Sequence, residues 1–393
     1  MEYRALTGAP RGKRSALRDS EISRNITMQY ARMPIEVESP EEYGYARIRY
    51  NLSESSITDR SIADLGLTIP DLTLLYGEHR GSEALRSVIV TGHAQLDAGD
   101  VLITSGAAAA LFIVATSLLS RDDHLVVVRP NYATNLETPR AIGCDISFID
   151  LAFEEGFRLD VDRLAAAITS RTRIISVTCP HNPTGVMLSE RELRDLVTLA
   201  AARGCYLLVD ETYRDLSYDG VLPLAASLGS HVISVSSLSK AYGVPGIRIG
   251  WLITSDPRLQ EIFLAAKEQI SICGSVIDEW IAHQVLTRRE EILGPTLAEM
   301  RARRELVADW IGSERNLEWV RPSGGVVCFP RMCSEPVGGT AAFYSRLLET
   351  YGSYVGPGHW FEMPDRFFRL GYGWPSRNDL KAGLAAISKA LHG

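Results

Sequence analysis

Ser234-Val-Ser-Ser-Leu-Ser-Lys240-Ala-Tyr-Gly-Val-Pro-Gly-Ile-Arg248-Ile-Gly-Trp251 is the stretch on which the reading of this chain turns. It follows directly on an apolar run, Val232–Ser236, that predicts a buried strand. A lysine then stands four residues beyond the strand, among small hydroxyl residues and glycines. A second apolar run, Ile247–Thr254, closes the stretch. A lone lysine is ordinarily a solvated surface charge. One that immediately follows a buried strand is in the place where open α/β sheets bind their ligands, outside the carboxyl ends of the strands.

Further runs of the same kind lie upstream: His124–Pro130, Arg173–Cys179 and Cys205–Asp210. They are nearly continuous in Val, Ile and Leu, which suits strands covered on both faces. Helical patterns separate them. Ser189–Arg203 has Ser189 as an N-cap, and the apolar Ala107–Leu119 is too short to span a membrane and predicts a buried helix. Alternating strand and helix implies an α/β domain with a mostly parallel sheet. The last hundred residues differ. A long charged helix, Pro295–Ile311, precedes short strands near Gly325–Phe329 and Phe367–Gly371, and a helix over Arg377–Leu391 closes the chain. These suggest a smaller α+β domain over 291–393, after a large domain over 61–290. Residues 1–60 carry few helix signals and are expected to form an arm that joins the small domain.

Two more polar groups stand at predicted strand ends. Asn182, in Pro180-His181-Asn182-Pro183-Thr184-Gly185, follows the run ending at Cys179, and Asp210 ends its own run. Singly, Asn-Pro reads as a turn and Asp as a cap. Three such groups at three strand ends can instead converge on one small molecule.

In this order and setting the chain resembles the fold-type I pyridoxal-phosphate (PLP) enzymes, specifically the class I/II aminotransferases. The resemblance covers roughly residues 70–385. It rests on the lysine segment together with Tyr76-Gly77…Gly81, Thr104-Ser-Gly106-Ala, Pro130-Asn-Tyr132, the Asn182-Pro-Thr-Gly185 turn, Asp210-Glu-Thr-Tyr213 and Arg369-Leu-Gly. The C-terminal half is also similar to the capreomycidine synthases, PLP enzymes on the same scaffold, through Ser239-Lys240-Ala-Tyr-Gly, Gly324-Gly325…Phe329-Pro330-Arg331 and the closing Gly-Leu-Ala-Ala-Ile-Ser.

The resemblance implies the PLP-dependent transferase fold, with a mostly parallel seven-stranded sheet and a smaller α+β domain. It implies that Lys240 holds PLP as a Schiff base, for which a primary amine of lowered pKa is needed. Asp210 would pair with the pyridine nitrogen, and Tyr213 and Asn182 would bond the phenolic oxygen of the ring. Gly106, Ala107 and Ala108, at a helix N-terminus, suit the phosphate. Ser237, Ser239 and Arg248 would complete the phosphate cup, with Arg248 eight residues beyond the lysine. Tyr132 would stack on the ring. Tyr76 would reach the phosphate of a neighbouring subunit, which makes a homodimer the expected assembly. Arg369 would bind the substrate α-carboxylate, a task suited to a forked guanidinium. The expected reaction is transfer of an amino group from an L-α-amino acid to a 2-oxo acid. The alternatives are elimination, cyclisation or oxidation on the same scaffold, and a PLP-binding regulator. A regulator of that kind needs a DNA-binding module, for which residues 1–60 are too short.

Two segments depart from the common aminotransferase pattern. In Asn51-Leu52-Ser53-Glu54-Ser55-Ser56, Glu54 is a candidate to face the site and prefer a cationic, arginine-like substrate. Gly358-His359-Trp360-Phe361-Glu362-Met363 is an aromatic stretch expected near the substrate mouth, where His359 and Trp360 either shape the pocket or fill the small domain.

Composition agrees with this reading. A net charge of −7 argues against a nucleic-acid footprint. Six scattered cysteines have no metal spacing and suit free thiols in a cytoplasmic enzyme. No metal and no membrane are expected. The basic residues Arg4, Arg11, Lys13, Arg14 and Arg18 lack an adjoining apolar core, so a secretory signal is not expected, and the first twenty residues read as a solvated arm.

Overall fold

The computed structural model describes residues 28–393, so the expectation for the basic N-terminal stretch lies outside the described residues. The runs of branched apolar residues form a seven-stranded sheet: β1 (Val101–Thr104), β2 (His124–Arg129), β3 (Asp145–Asp150), β4 (Thr172–Thr178), β5 (Tyr206–Asp210), β6 (Val232–Ser237) and β7 (Gly250–Ile253). Their order is β1-β7-β6-β5-β4-β2-β3. β6, β5, β4, β2 and β3 run parallel, while β7 runs antiparallel to both neighbours.

The continuity of the apolar runs follows from burial on both faces. Along β2, Leu125 and Val127 point to one core with Leu111 and Val114 of helix α1 (Gly106–Leu118), joined there by Ile174, Leu208, Ile233 and Val235. Val126 and Val128 point the other way, to a core with Leu193 and Leu196 of helix α2 (Glu190–Arg203), joined by Ile175, Val177, Leu207 and Val209. Burying each such side chain contributes about 1.5–3 kcal/mol. Helix α2 begins as expected. Ser189 accepts from the backbone of Glu192 while the Glu192 carboxylate accepts from the backbone of Ser189, so both amides find partners.

The C-terminal part holds helix α3 (Arg289–Ser313), short antiparallel strands at Val327–Cys328, Gly356–Pro357 and Phe368–Gly371, and helix α4 (Arg377–His392). α3 starts six residues before the expected Pro295, which lies inside the helix. The earlier start is anchored by Arg288, whose guanidinium bonds Glu291 and the carbonyl of Leu65. Tyr50–Asn51 pairs in parallel with Ser353–Tyr354, so the N-terminal segment crosses to the C-terminal part. Before it come two one-turn helices, Pro34–Val37 and Pro40–Tyr43, which lie over the strand ends.

Candidate active site

Parallel pairing fixes how the strand ends align. Thr178 of β4 is level with Asp210 of β5, which is level with Val235 of β6. The groups that follow each end therefore face a common cavity of about 220 Å³. Asn182, Asp210, Tyr213, Ser237, Ser239, Lys240, Arg248, Tyr132, Ala107, Ala108, Arg369 and Glu54 all line it.

Asp210 is buried, and its Oδ1 accepts from the backbone N–H (3.1 Å) and hydroxyl (2.6 Å) of Thr212. Burial pushes its carboxyl up, against the bonds from Thr212 and Asn135. Lys240 Nζ donates to Ser55 Oγ at 3.0 Å. Burial holds its pKa below the ordinary lysine value, although the Glu54 carboxylate pulls the other way. A buried amine of this kind is a better nucleophile and base. The Tyr213 hydroxyl donates to the Ser55 carbonyl at 2.9 Å, and burial pushes its pKa up to about 12.

One end of the cavity is an anion cradle. α1 starts at Gly106, whose φ of +81° suits glycine. A Cβ there would lie 2.6 Å from Arg248 Nη2, so the guanidinium closes directly on the helix N-terminus. A Cβ on Gly250 would lie 2.6 Å from Ala107 N and would fill the same place. Backbone N–H groups, a helix dipole and a forked cation suit a phosphate. Gly106 shapes the cradle from behind and does not itself line the cavity.

The opposite wall holds Arg369 on its buried strand. Nη2 donates to the Ser53 carbonyl at 2.7 Å and Nη1 to Asn182 Oδ1 at 3.3 Å, while Nε is buried without a partner. The guanidinium carbon lies 5.7 Å from the Trp360 ring centroid and 5.2 Å from that of Phe361. A guanidinium with an unfilled donor beside a cavity is ready for a planar anion. Glu54 is bonded through Oε1 to Asn51 Nδ2 at 3.3 Å and the Tyr45 hydroxyl at 3.5 Å, both neutral groups. Burial raises its carboxyl pKa, with Lys240 and Arg369 opposing.

Tyr76 is not brought to this cavity; it is 80% exposed on its loop. Sequence reasoning missed Ile35, Glu36, Ser39, Pro40 and Glu41, which line the cavity from the two one-turn helices. The Pro-x-x-x repeats of Pro34-Ile-Glu-Val and Pro40-Glu-Glu-Tyr, each with proline at the first helical position, were the available signal. It also missed Ser53 and Ser55, whose backbone and hydroxyl oxygens hold Arg369, Tyr213 and Lys240.

Residues 66–387 match the family described as aminotransferase class I and II. The chain belongs to that family. The enzyme is 31% identical to capreomycidine synthase of Streptomyces vinaceus over 88% of this chain and 91% of that one. It is 32% identical to the arginine–pyruvate transaminase of Pseudomonas aeruginosa, over 73% of this chain and 74% of that one. A PLP-dependent aminotransferase from Streptococcus suis superposes with a TM-score of 0.85 at 27% identity, covering 93% of this chain and 98% of that one. The chain is thus a fold-type I PLP-dependent aminotransferase, and the cradle, the part-buried lysine and the buried aspartate are chemically apt for PLP. No helix among the described residues is long and apolar enough to cross a membrane.

Proposed function

We propose that this aminotransferase takes the amino group of an L-α-amino acid with a cationic side chain, passes it to a 2-oxo acid, and works as a homodimer. The observation that carries the substrate class is Glu54. It is a largely buried carboxylate in the cavity wall that forms no ion pair among the described residues, and Glu36 and Glu41 line the same mouth. The naming of arginine in one relative's activity supports the same class.

In this reading Lys240 anchors PLP and Asp210 meets the pyridine nitrogen, whose positive charge would offset the burial of the carboxylate. Asn182 and Tyr213 would hold the phenolic oxygen, and Tyr132 would stack on the ring. Ala107, Ala108, Ser237, Ser239 and Arg248 receive the phosphate, with Gly106 shaping the cup. PLP, when bound, supplies an electron sink for the substrate Cα. Arg369 takes the α-carboxylate through its free donor, which sets the Cα–H bond toward Lys240. The lysine amine, whose pKa burial lowers, would carry the proton from Cα. Glu54 meets the distal cation of the substrate, a contact that a neutral side chain does not offer.

The exposed apolar residues Leu74, Leu75 and Tyr76 support a partner subunit at that loop. The division into an arm (1–60), a PLP-binding domain (61–290) and a small domain (291–393) is supported by the single sheet within residues 101–253 and by the pairing of Tyr50–Asn51 with Ser353–Tyr354. The cytoplasm is the compartment that free cysteines favour. A second reading, cyclisation, is favoured by the similarity to capreomycidine synthase over most of the chain.

The test pairs L-arginine with pyruvate and follows L-alanine. Stoichiometric L-alanine is expected. Transfer from neutral amino acids with none from L-arginine overturns the substrate class. Conversion of an arginine analogue that carries a leaving group at Cβ to a cyclised product, with release of that group and without L-alanine, establishes the second reading.

A further inference from the structure

The two one-turn helices over the cavity are too short to hold themselves in place, because helices of this length do not repay their nucleation. Their position comes from the burial of Ile35 in an apolar core with Trp360 and Phe361, and from side-chain bonds to other segments. Glu38, between them, makes the principal ones. Its Oε2 accepts from Trp360 Nε1 at 2.7 Å and lies 2.8 Å from His359 Nε2, and its backbone carbonyl accepts from the Tyr354 hydroxyl at 2.7 Å. His359 is bound on its other side too, with Nδ1 2.8 Å from Asp365 Oδ1. Trp360 is buried, and its ring lies beside the Arg369 guanidinium. A path of direct contacts therefore runs from the roof segment through Glu38 and Trp360 to Arg369.

We propose that Glu38 is a positioning residue for the α-carboxylate receptor: it ties the roof segment to the Trp360 indole that aligns Arg369, and His359 makes this tie sensitive to pH. The proposal rests on the reading of Arg369 as that receptor. An imidazolium donates to both Glu38 and Asp365, whereas a neutral imidazole has one donor and turns a lone pair toward the other carboxylate. The groups facing His359 are Glu38 on the roof segment and Asp365 on the following loop. Glu362, which also follows His359, is engaged by Arg129 and Arg140. Burial disfavours the charged imidazole, but the bonds to Glu38 and Asp365 outweigh it and hold the pKa above the ordinary histidine value. The tie is therefore complete below that raised pKa and weakens as pH rises through it.

The test measures KM, kcat and, from the cofactor absorbance, the apparent Kd for L-arginine and L-alanine between about pH 6 and 9. The proteins are the wild-type holoenzyme and Glu38→Ala, Glu38→Gln, His359→Gln and Arg369→Lys. Glu38→Ala is expected to raise Kd and KM about tenfold for both amino acids, with kcat within about twofold, because a bond from a charged acceptor at the shared α-carboxylate end is lost. Glu38→Gln keeps an acceptor for the indole. It and His359→Gln are expected to abolish the alkaline rise of Kd seen in the wild type while raising Kd less than about threefold at low pH. Wild-type Kd values in Glu38→Ala, or an alkaline rise that survives in both glutamine variants, overturn the proposal. If Glu38→Ala does not fold, the glutamine variants decide alone. Unchanged Kd in Arg369→Lys refutes the carboxylate reading itself. A raised Kd in Arg369→Lys beside a normal Glu38→Ala refutes only the coupling.

Discussion

Asp210, Asn182 and Lys240 stand at the ends of adjoining strands of one hydrogen-bonded sheet, whereas Glu54 is held by bonds from nearby Tyr45 and Asn51, and Glu38 by bonds to His359 and Trp360, far away in sequence. The floor of the cavity inherits its geometry from backbone register and two apolar cores. The roof shares one of these cores through Ile35 and Trp360 but pairs with no strand of that sheet. A site built this way keeps its chemistry on the rigid part and leaves selection of the substrate to the part most easily altered.

The largest break in that comparison is Lys240→Ala, on the floor. Loss of the borohydride-reducible attachment is expected by mass spectrometry, with activity down at least about 10³-fold; retained covalent PLP would refute the assignment. Arg369→Lys, at the seam between floor and roof, is expected to lower kcat/KM about 100-fold for all amino acids, since an ammonium cannot reproduce a forked contact. Glu54→Gln, on the roof, sharpens the contrast. It should leave turnover of neutral amino acids nearly unchanged and cut the preference for L-arginine about tenfold, and an unchanged substrate profile sinks that role.

The smallest effect lies behind the roof, where Glu299 of α3 bonds Arg377 at the start of α4 and Arg303. The bond from Arg377, with that from Arg303, holds its carboxyl at about 2 despite partial burial. Because the folded pKa is depressed, the contribution is full above the ordinary carboxylate range and is lost as pH falls toward 2. Glu299→Gln is expected to cost about 1 kcal/mol at pH 7 in denaturant titration, with the gap closing in acid. A gap that does not narrow on acidification counts against the ion pair as its source.

The same division governs what could be read from the chain itself. Continuous apolar runs revealed β2, β4, β5 and β6 to within a residue or two because burial on both faces leaves that mark. β3, Asp145-Ile-Ser-Phe-Ile-Asp150, escaped because it is a partly exposed edge strand broken by polar residues. β1 is four residues long and merges with the apolar start of α1. On the floor, each site residue followed a visible strand. On the roof, Glu54 could be singled out only as a departure from a family pattern, and Glu36, Glu38 and Glu41 not at all. A carboxylate three hundred residues from its partner carries no local periodicity, and only the folded chain brings Glu38 to Trp360.

The cradle at Gly106 is a fitting without clearance. Two chain segments meet there with no side chain on either facing residue, and an added methyl on Gly250 would stand 2.5 Å from the Gly106 carbonyl carbon. Neighbouring backbone cannot swing aside as a side-chain tip can, so added volume at position 250 must displace the very amides that face the anion. One methyl on a neighbouring strand is thus a handle for tuning how firmly the enzyme grips its cofactor, without changing any polar atom of the site.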